Sequence, residues 1–347
     1  MTRRERVKRA IEHKPVDKIP KGELSIDKEL QIRLLANGTL NDDFQDEVKV
    51  RNLLNMDLVF EYLDNPPDRV VEKTKDGFEI KEDIFGQKYL QGNNNIKTIS
   101  HPVADIVQAK NYEFIPLLNF RTERIKRLKK ETDFFIFGQL DGGFNGAYPF
   151  FGLENFLVYS KTNPEEIEKF IWRAIEYYIE KASVYGKLAD GIMIGDDMAD
   201  NHGTIMSPSD LRKLVFPPMK HEVECLKKRL NIPVFLHCDG NINEIMNDIV
   251  WMGFDGVHSL QPSAGMDIGK VKKEFGDRLC LMGNVDLNYL LPFGKPEDIR
   301  RQTIWLVEEI GKGSGYILST CNILTKDIPA ENVLAMYNTA EKIFHKK

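Results

Sequence analysis

A histidine and an aspartate that could bind a metal ion follow one strongly apolar segment of the chain. Residues 234–236 are predicted to form a buried strand, which leads directly into His237, Cys238 and Asp239. Because side chains alternate along a strand, His237 and Asp239 should share one face while Cys238 points away. An imidazole and a carboxylate on one face could bind a metal ion or transfer a proton. The alternative is a core histidine and an aspartate that caps the next helix.

The elements that would position these residues have the pattern of a barrel. Eight segments are predicted to be strands, and helical spacing of apolar residues separates most of them. The segments are 22–25, 56–63, 134–143, 191–198, 234–236, 253–260, 279–286 and 315–322. This alternation, with no linker or repeat, predicts a single α/β domain, a (β/α)8 TIM barrel over residues 1–347. An N-terminal helix at 3–12 precedes the barrel, and Asp76-Gly77 predicts an inserted β-hairpin over 70–90. An open doubly wound sheet is the alternative.

In such a barrel the carboxyl ends of the strands meet at one rim, which we call the mouth. A histidine, a cysteine and a carboxylate gathered there would suit Zn²⁺, with one position left for substrate. Adjacent strand residues cannot both face the mouth, and of Asp196 and Asp197 we assign Asp197 to it. Polar residues from distant parts of the chain should gather there: Glu23, Asp64, Gln139, Asp141, Asp196, Asp197, His237, Asp239, His258, Asn284, Asp286 and Cys321.

Cys321 and the aromatic loop after the third predicted strand each have an ordinary structural alternative. Cys321 could be a small core residue, as buried cysteines often are. The aromatic loop that contains Phe144 and Tyr148 could cover the mouth or fill the core, and the sequence leaves both possibilities open.

Composition excludes several classes of protein. A formal net charge of -5 argues against a nucleic-acid-binding surface. No apolar run approaches the roughly 20 residues that a membrane-spanning helix needs. The N-terminus is basic and lacks the apolar stretch of a secretion signal, and the four cysteines show neither CxxC nor disulfide-framework spacing. We therefore expect a cytoplasmic protein with reduced thiols.

Several segments taken together resemble the uroporphyrinogen decarboxylase superfamily. The resemblance covers nearly the whole chain and is strongest from Asp190 onward. It implies a (β/α)8 fold, in agreement with the strand count. It also implies one of two activities, decarboxylation or corrinoid-dependent methyl transfer. The segments are KPVDKIP, GGFNGAYPFFGLENFL, GDDMADNHGTIMSPSDL, HCDGN, GVHSLQP, GDRLCLMGNVD and GYILSTCNIL.

Departures from the decarboxylase pattern favour the methyltransferase branch. True decarboxylases bind the acidic arms of their tetrapyrrole through an arginine-containing motif after the first strand. The corresponding region here, KGELSIDKEL, has no arginine before Arg33. Arginine forks give the strong bidentate contacts to carboxylates, so their loss would be severe. Asp64 matches the aspartate that orients the pyrroles, but the terminal histidine of strand eight is Cys321 here.

The methyltransferase resemblance implies a zinc site with one changed ligand. Thiol-methylating members hold Zn²⁺ with a His-x-Cys pair on strand five and a cysteine near the end of strand eight. The matching residues are His237, Asp239 and Cys321, and Cys238 lies one residue early. Asp239 is thus the predicted third ligand, with Cys238 as its substitute if the strand bulges. A carboxylate ligand makes zinc less electron-rich and favours an oxygen substrate over a thiol.

The sequence therefore predicts a zinc-dependent methyltransferase. It would move a methyl group between a methoxyarene, methanol or methylamine and a corrinoid carried by a partner protein, since no Asp-x-His-x-x-Gly motif is present. The alternatives are a decarboxylase-type lyase, a coenzyme M (thiol) methyltransferase and a non-enzymatic tetrapyrrole-binding module. The oligomeric state stays open. Catalytic roles are predicted for Asp197, Asp64 and His258, and substrate contacts for Glu23, Gln139, Asp141, Phe144, Tyr148 and Asn284.

Overall fold

The computed structural model describes residues 1–36, 39–40, 42–63, 65–92, 96–117 and 120–344. Its elements, in chain order, are α1 (Arg3–Ile11), α2 (Lys28–Leu35), α3 (Asp43–Leu53), β1 (Leu58–Glu61), β2 (Arg69–Lys73), β3 (Glu79–Glu82), β4 (Lys88–Gln91), β5 (Ile96–Ser100), α4 (Ile106–Ala109), α5 (Glu123–Glu131), β6 (Phe135–Asp141), α6 (Tyr148–Phe151), α7 (Leu153–Thr162), α8 (Pro164–Tyr185), β7 (Gly191–Gly195), α9 (Pro208–Asp210), α10 (Phe216–Leu230), β8 (Val234–Cys238), α11 (Met246–Met252), β9 (Gly256–Ser259), α12 (Ile268–Phe275), β10 (Cys280–Val285), α13 (Leu290–Phe293), α14 (Pro296–Trp305), β11 (Tyr316–Thr320) and α15 (Ala330–Phe344).

Seven parallel strands form one curved sheet in the order β1-β6-β7-β8-β9-β10-β11. The eighth position is taken by the segment around Lys21, which has a single bridge to Leu318 of β11 and a backbone hydrogen bond to Asp57, just before β1. Gly22 N donates to Leu318 O at 3.1 Å, and Asp57 N donates to Lys21 O at 2.7 Å. The predicted barrel fold is confirmed, but the prediction of a first strand at 22–25 is wrong: that segment forms only isolated bridges, and the sheet has seven strands among the described residues. Regular pairing stops early because Thr320 N donates to the carboxylate of Glu23 instead of to a backbone carbonyl.

Two apolar layers surround the sheet. Inward-facing strand residues fill the barrel interior, and α1 adds Val7 and Ile11 to that layer. These two residues pack against the strand beginnings, so α1 closes the amino end of the barrel and leaves the mouth at the other end. The predicted N-terminal helix is thus confirmed. The inward strand residues are Leu58, Phe60, Phe135, Phe137, Met193, Phe235, Cys280, Met282 and Ile317.

The excursion between β1 and β6 is larger than the sequence suggested. The expected hairpin exists as β2 and β3, with Gly77 at a φ of 85° in the turn. It belongs to a four-stranded antiparallel sheet in the order β2-β3-β4-β5. Strand β5 (IKTIS) is exposed along its whole length, so it has no buried face for periodicity to reveal.

The turn between β3 and β4 docks this sheet on the barrel. Phe85 packs edge-on against Phe150 and Tyr177, and its carbonyl accepts a 2.9 Å hydrogen bond from Tyr112 Oη.

Among the described residues, no helix has both the length and the apolar character that a bilayer crossing requires.

Candidate metal centre

The end of β8 sends alternate side chains to opposite faces of the sheet. His237 pairs with Gly195 on one side and with His258 on the other, in unbroken register. Cys238 is buried in the outer layer, where its Sγ accepts a 3.3 Å hydrogen bond from Met198 N. His237 and Asp239 share the other face, with Nε2 of His237 3.8 Å from Oδ1 of Asp239. The expected alternation is present, and the strand has no bulge here.

Asp197 joins these two residues from the segment after β7. Its Oδ1 lies 3.8 Å from His237 Nε2 and accepts a 2.9 Å hydrogen bond from Asp239 N. Asp197, His237 and Asp239 each offer one ligand atom, and these atoms all lie within 4.8 Å of one another. The sequence predicted a catalytic role for Asp197, and the geometry makes it a candidate metal ligand as well.

One carboxylate oxygen of Asp239 suggests that this group of residues could bind a cation. Its Oδ2 accepts a hydrogen bond from Asn322 Nδ2, but its Oδ1 is buried and has no hydrogen-bond partner. A buried carboxylate oxygen without a partner is costly, and a bound cation would remove that cost. Imidazole nitrogen and carboxylate oxygens are ligands that Zn²⁺ accepts. The residues present therefore fit a zinc ion.

His258 lies behind His237 and does not reach the open mouth. It has no exposed surface. Its Nδ1 lies 2.8 Å from Nδ1 of His237, and its Nε2 lies 3.0 Å from Thr320 O. Burial, together with the neighbouring His237, lowers the pKa of His258 well below its ordinary value. The catalytic role predicted for His258 stays a prediction, since its contacts are with His237 and the backbone.

Cys321 is buried close to this group but is not part of it. Burial raises the pKa of its thiol to about 12, although the backbone N–H of Leu287 hydrogen-bonds to the sulfur and opposes the rise. Zinc binds cysteine as a thiolate. The structure thus brings together Asp197, His237 and Asp239, while the ligand role of Cys321 stays a prediction.

Two tyrosines face the aspartates of the mouth. The Tyr62 side chain as a whole is 62% exposed, but desolvation at its phenol end, followed by the charges of Asp141 and Asp197, raises its pKa to about 12. The pKa of Tyr148 is also raised, by burial and then by Asp197 and Asp141. Both phenols therefore keep their protons and can donate hydrogen bonds. Tyr62 was missed in the sequence, although it continues the alternation of Leu58 and Phe60 along β1.

A cavity of about 140 Å³ lies beside the mouth, between the inserted sheet and the loop after β6. Its lining includes Phe85, Asp141, Asn145 and Tyr178. The Tyr178 hydroxyl donates to Asp141, whose pKa is raised by burial and held back by the charge of Lys181. A larger cavity, of about 630 Å³, lies outside the barrel between α4 and α8. The smaller cavity shares Asp141 with the predicted mouth residues, and the larger one shares none of them.

Of two further residues predicted at the mouth, one is buried away from it and the other is not among the described residues. Glu23 has no exposed surface and accepts hydrogen bonds from Thr320 N at 2.9 Å and from Tyr337 Oη. The structure does not bring it to the mouth, because Leu24 takes the position that packs against the barrel interior. Asp64 lies outside the described residues.

The other predicted substrate contacts lie in the barrel wall. Gln139 is buried, and its backbone binds the Tyr185 hydroxyl. Phe144 is buried, with its ring 5.1 Å from that of Tyr148, so this part of the aromatic loop belongs to the core. Asn284 Nδ2 donates to Leu260 O at 3.0 Å, while its Oδ1 is buried without a partner. Their contacts with substrate stay predictions.

Comparisons with known proteins agree with this architecture. The family model described as uroporphyrinogen decarboxylase (URO-D) matches residues 84–343. The uroporphyrinogen decarboxylase of Chlorobium phaeovibrioides is 31% identical over 149 residues, which are 42% of this chain and 40% of the relative. That of Trichodesmium erythraeum is 27% identical over 183 residues, 52% of this chain and 48% of the relative. The chain thus spans about half the length of these relatives, or less.

Among solved structures, a methyltransferase from Methanosarcina mazei has a similar fold. The TM-score is 0.76 and the sequence identity is 21%, over 99% of each chain. At this identity the likeness shows the fold alone.

Proposed function

The chain belongs to the uroporphyrinogen decarboxylase (URO-D) family, and within that family we propose that it is a zinc-dependent methyltransferase. It would move a methyl group between a small donor and a corrinoid carried by a partner protein. The observation that carries the proposal is the group of Asp197, His237 and Asp239 at the mouth. These residues would hold the ion, with Cys321 as the further ligand that the sequence predicts. Zinc would supply Lewis-acid chemistry to the oxygen or nitrogen that carries the methyl group.

The charge of the mouth argues against a tetrapyrrole with several carboxylates. The charged groups that raise the pKa values of Tyr62 and Tyr148 are all aspartates. A polyanionic substrate would meet like charges there, which oppose its binding. The segment KGELSIDKEL corresponds to the arginine motif of decarboxylases and contains two lysines. Both form ion pairs away from the mouth. Lys21 is buried and contacts Glu341 at 2.5 Å, and Lys28 pairs with Asp43 at 2.9 Å on the surface.

The chain's own residues would orient a small donor. Tyr62 and Tyr148 keep their protons and can donate hydrogen bonds to an oxygen or nitrogen at the mouth. The cavity beside Asp141 is about 140 Å³, which suits methanol, a methylamine or the methoxy end of a larger molecule. A centre with two carboxylates favours an oxygen donor over a thiol. The name of the Methanosarcina mazei neighbour, a methyltransferase, supports the same branch.

The direct test offers the zinc-loaded protein reduced cobalamin with a panel of methoxyarenes, methanol and methylamines. We expect methylcobalamin from at least one donor, and none with the His237→Ala variant. No methylcobalamin from any donor would contradict the proposal.

The names of the curated relatives favour the alternative, uroporphyrinogen decarboxylation, which the same preparation can test. Incubation with uroporphyrinogen should leave it unchanged. Formation of the decarboxylated product, insensitive to His237→Ala, would establish the alternative. Methylation of coenzyme M from methylcobalamin would instead identify a thiol methyltransferase.

A further inference from the structure

A line of hydrogen-bonding groups runs from the backbone of β11 to the candidate metal centre. His258 Nε2 lies 3.0 Å from Thr320 O, and His258 Nδ1 lies 2.8 Å from His237 Nδ1. The remaining nitrogen, Nε2 of His237, lies 3.8 Å from Oδ1 of both Asp197 and Asp239. His258 thus has a hydrogen-bond partner at each ring nitrogen. His237 has one at Nδ1, and its Nε2 lies near two carboxylates.

The positions of the protons follow from the first contact. A backbone carbonyl only accepts hydrogen bonds, so His258 Nε2 must carry a proton. A buried imidazolium without a carboxylate contact would be costly, so His258 is neutral and its Nδ1 is an acceptor. The 2.8 Å contact then requires the proton on His237 Nδ1. A neutral His237 protonated there has its lone pair on Nε2, facing the two aspartates.

We propose that His258 is a positioning residue for the metal centre, which fixes both the tautomer and the ring orientation of His237. The inference rests on the proposed metal site and deepens it. Metal-bound histidines commonly donate their other N–H to an acceptor that orients the ring and raises its basicity. Here that acceptor is a second imidazole, which a backbone carbonyl holds in turn.

The frame that holds this arrangement is rigid. His237 and His258 are register partners on the neighbouring strands β8 and β9, and their rings stack with centroids 5.0 Å apart. Thr320 uses its N–H to bind Glu23 and its C=O to contact His258. The closure of the barrel and the orientation of His237 thus depend on the same backbone residue of β11.

The first test needs neither a variant nor a metal ion. Nitrogen-15 NMR of the metal-free wild-type protein reports which ring nitrogens of each histidine carry a proton. We expect the proton of His237 on Nδ1 and that of His258 on Nε2. Any other arrangement of these protons would overturn the proposal, whether or not the protein transfers methyl groups.

The second test measures zinc affinity by competition with a chelator. His258→Leu removes the acceptor and should weaken zinc binding by about 10- to 100-fold, the usual effect of losing such a partner. His258→Asn places an amide oxygen near the position of Nδ1 and should restore affinity to within a few-fold of wild type. The matched control is His221→Leu, since His221 lies on α10 and pairs with Glu176 at 2.9 Å.

The two proposals can fail separately. A wild-type protein that binds no zinc would contradict the proposed function, while the NMR result would still decide the tautomers. A folded His258→Leu variant that binds zinc as tightly as wild type would overturn the role of His258 and leave the metal centre intact. Equal losses in His258→Leu and His258→Asn would also overturn it, since they would indicate packing and not the acceptor.

Discussion

Asp196 and Asp197 are neighbours in the chain but lie in opposite environments. Asp196 is fully buried, and its carboxylate accepts hydrogen bonds from the backbone N–H groups of Phe144 and Asn145. The side chain of Asp197 is 45% exposed and lies beside His237. The same residue type thus holds a loop on the outer face of the sheet and faces a candidate metal site on the inner face.

Neighbouring residues at the end of the next strand, β8, also lie on opposite faces of the sheet. Cys238 is buried in the outer layer, and Asp239 lies at the mouth. This repetition indicates that strand parity, more than residue type, decides which side chains can take part in chemistry. Outer-face groups should therefore affect stability when replaced, and inner-face groups should affect metal binding.

The largest effect is expected from inner-face replacements. His237→Ala and Asp197→Ala each remove one of three clustered ligand atoms, so both should abolish zinc retention after purification without chelator. Asp197→Ala should cost little stability because its carboxylate is partly solvated. Metal analysis and thermal unfolding measure the two effects. Zinc retained at wild-type stoichiometry in either variant would show that these inner-face residues do not hold the ion.

Asp196→Ala should show the opposite pattern. The buried N–H of Phe144 would lose its acceptor, at a cost of about 1–3 kcal/mol in the free energy of unfolding, and the partly buried N–H of Asn145 would add a smaller loss. Zinc content per folded chain should stay at the wild-type level. Urea unfolding with a parallel metal analysis is the measurement, and Asp197→Ala is the matched control. A variant that is as stable as wild type but lacks zinc would reverse the assignment of the two aspartates.

Alternation along β8 could be predicted because the strand is buried and in register, so its period of two is unambiguous. Two other features could not be predicted from the sequence. Glu23 lies in a segment held by single bridges, where no run of alternating residues indicates which face it occupies. The approach of Asp197 to His237 depends on the distance between strands, which sequence spacing does not contain.

Glu23 should make the free energy of unfolding depend on pH, and this effect should be smaller than that of Asp196→Ala. Burial raises its pKa from the ordinary 4.5 to about 7. The folded state therefore keeps a proton that the unfolded state releases, so the free energy of unfolding should fall as the pH rises from about 4.5 to about 7. Glu23→Gln should make this fall shallower. Urea unfolding across that pH range measures the free energy of unfolding. An unchanged slope in the variant would show that Glu23 does not cause the fall.

The smallest effect is expected from Cys238→Ala. The sulfur is buried in the outer layer, so its loss should cost about 1 kcal/mol of stability through packing and leave zinc content unchanged. Asp239→Ala is the inner-face counterpart and should lose zinc. Zinc lost from Cys238→Ala and retained by Asp239→Ala would show that the strand rearranges to present the thiol.

The most direct test of the metal centre is anomalous diffraction at the zinc absorption edge, from crystals of protein purified without chelator. We expect one peak in contact with Nε2 of His237 and with the carboxylates of Asp197 and Asp239. The same map would decide whether the Cys321 sulfur is a further ligand. No peak between these three residues, or a peak at another place in the chain, would contradict the account.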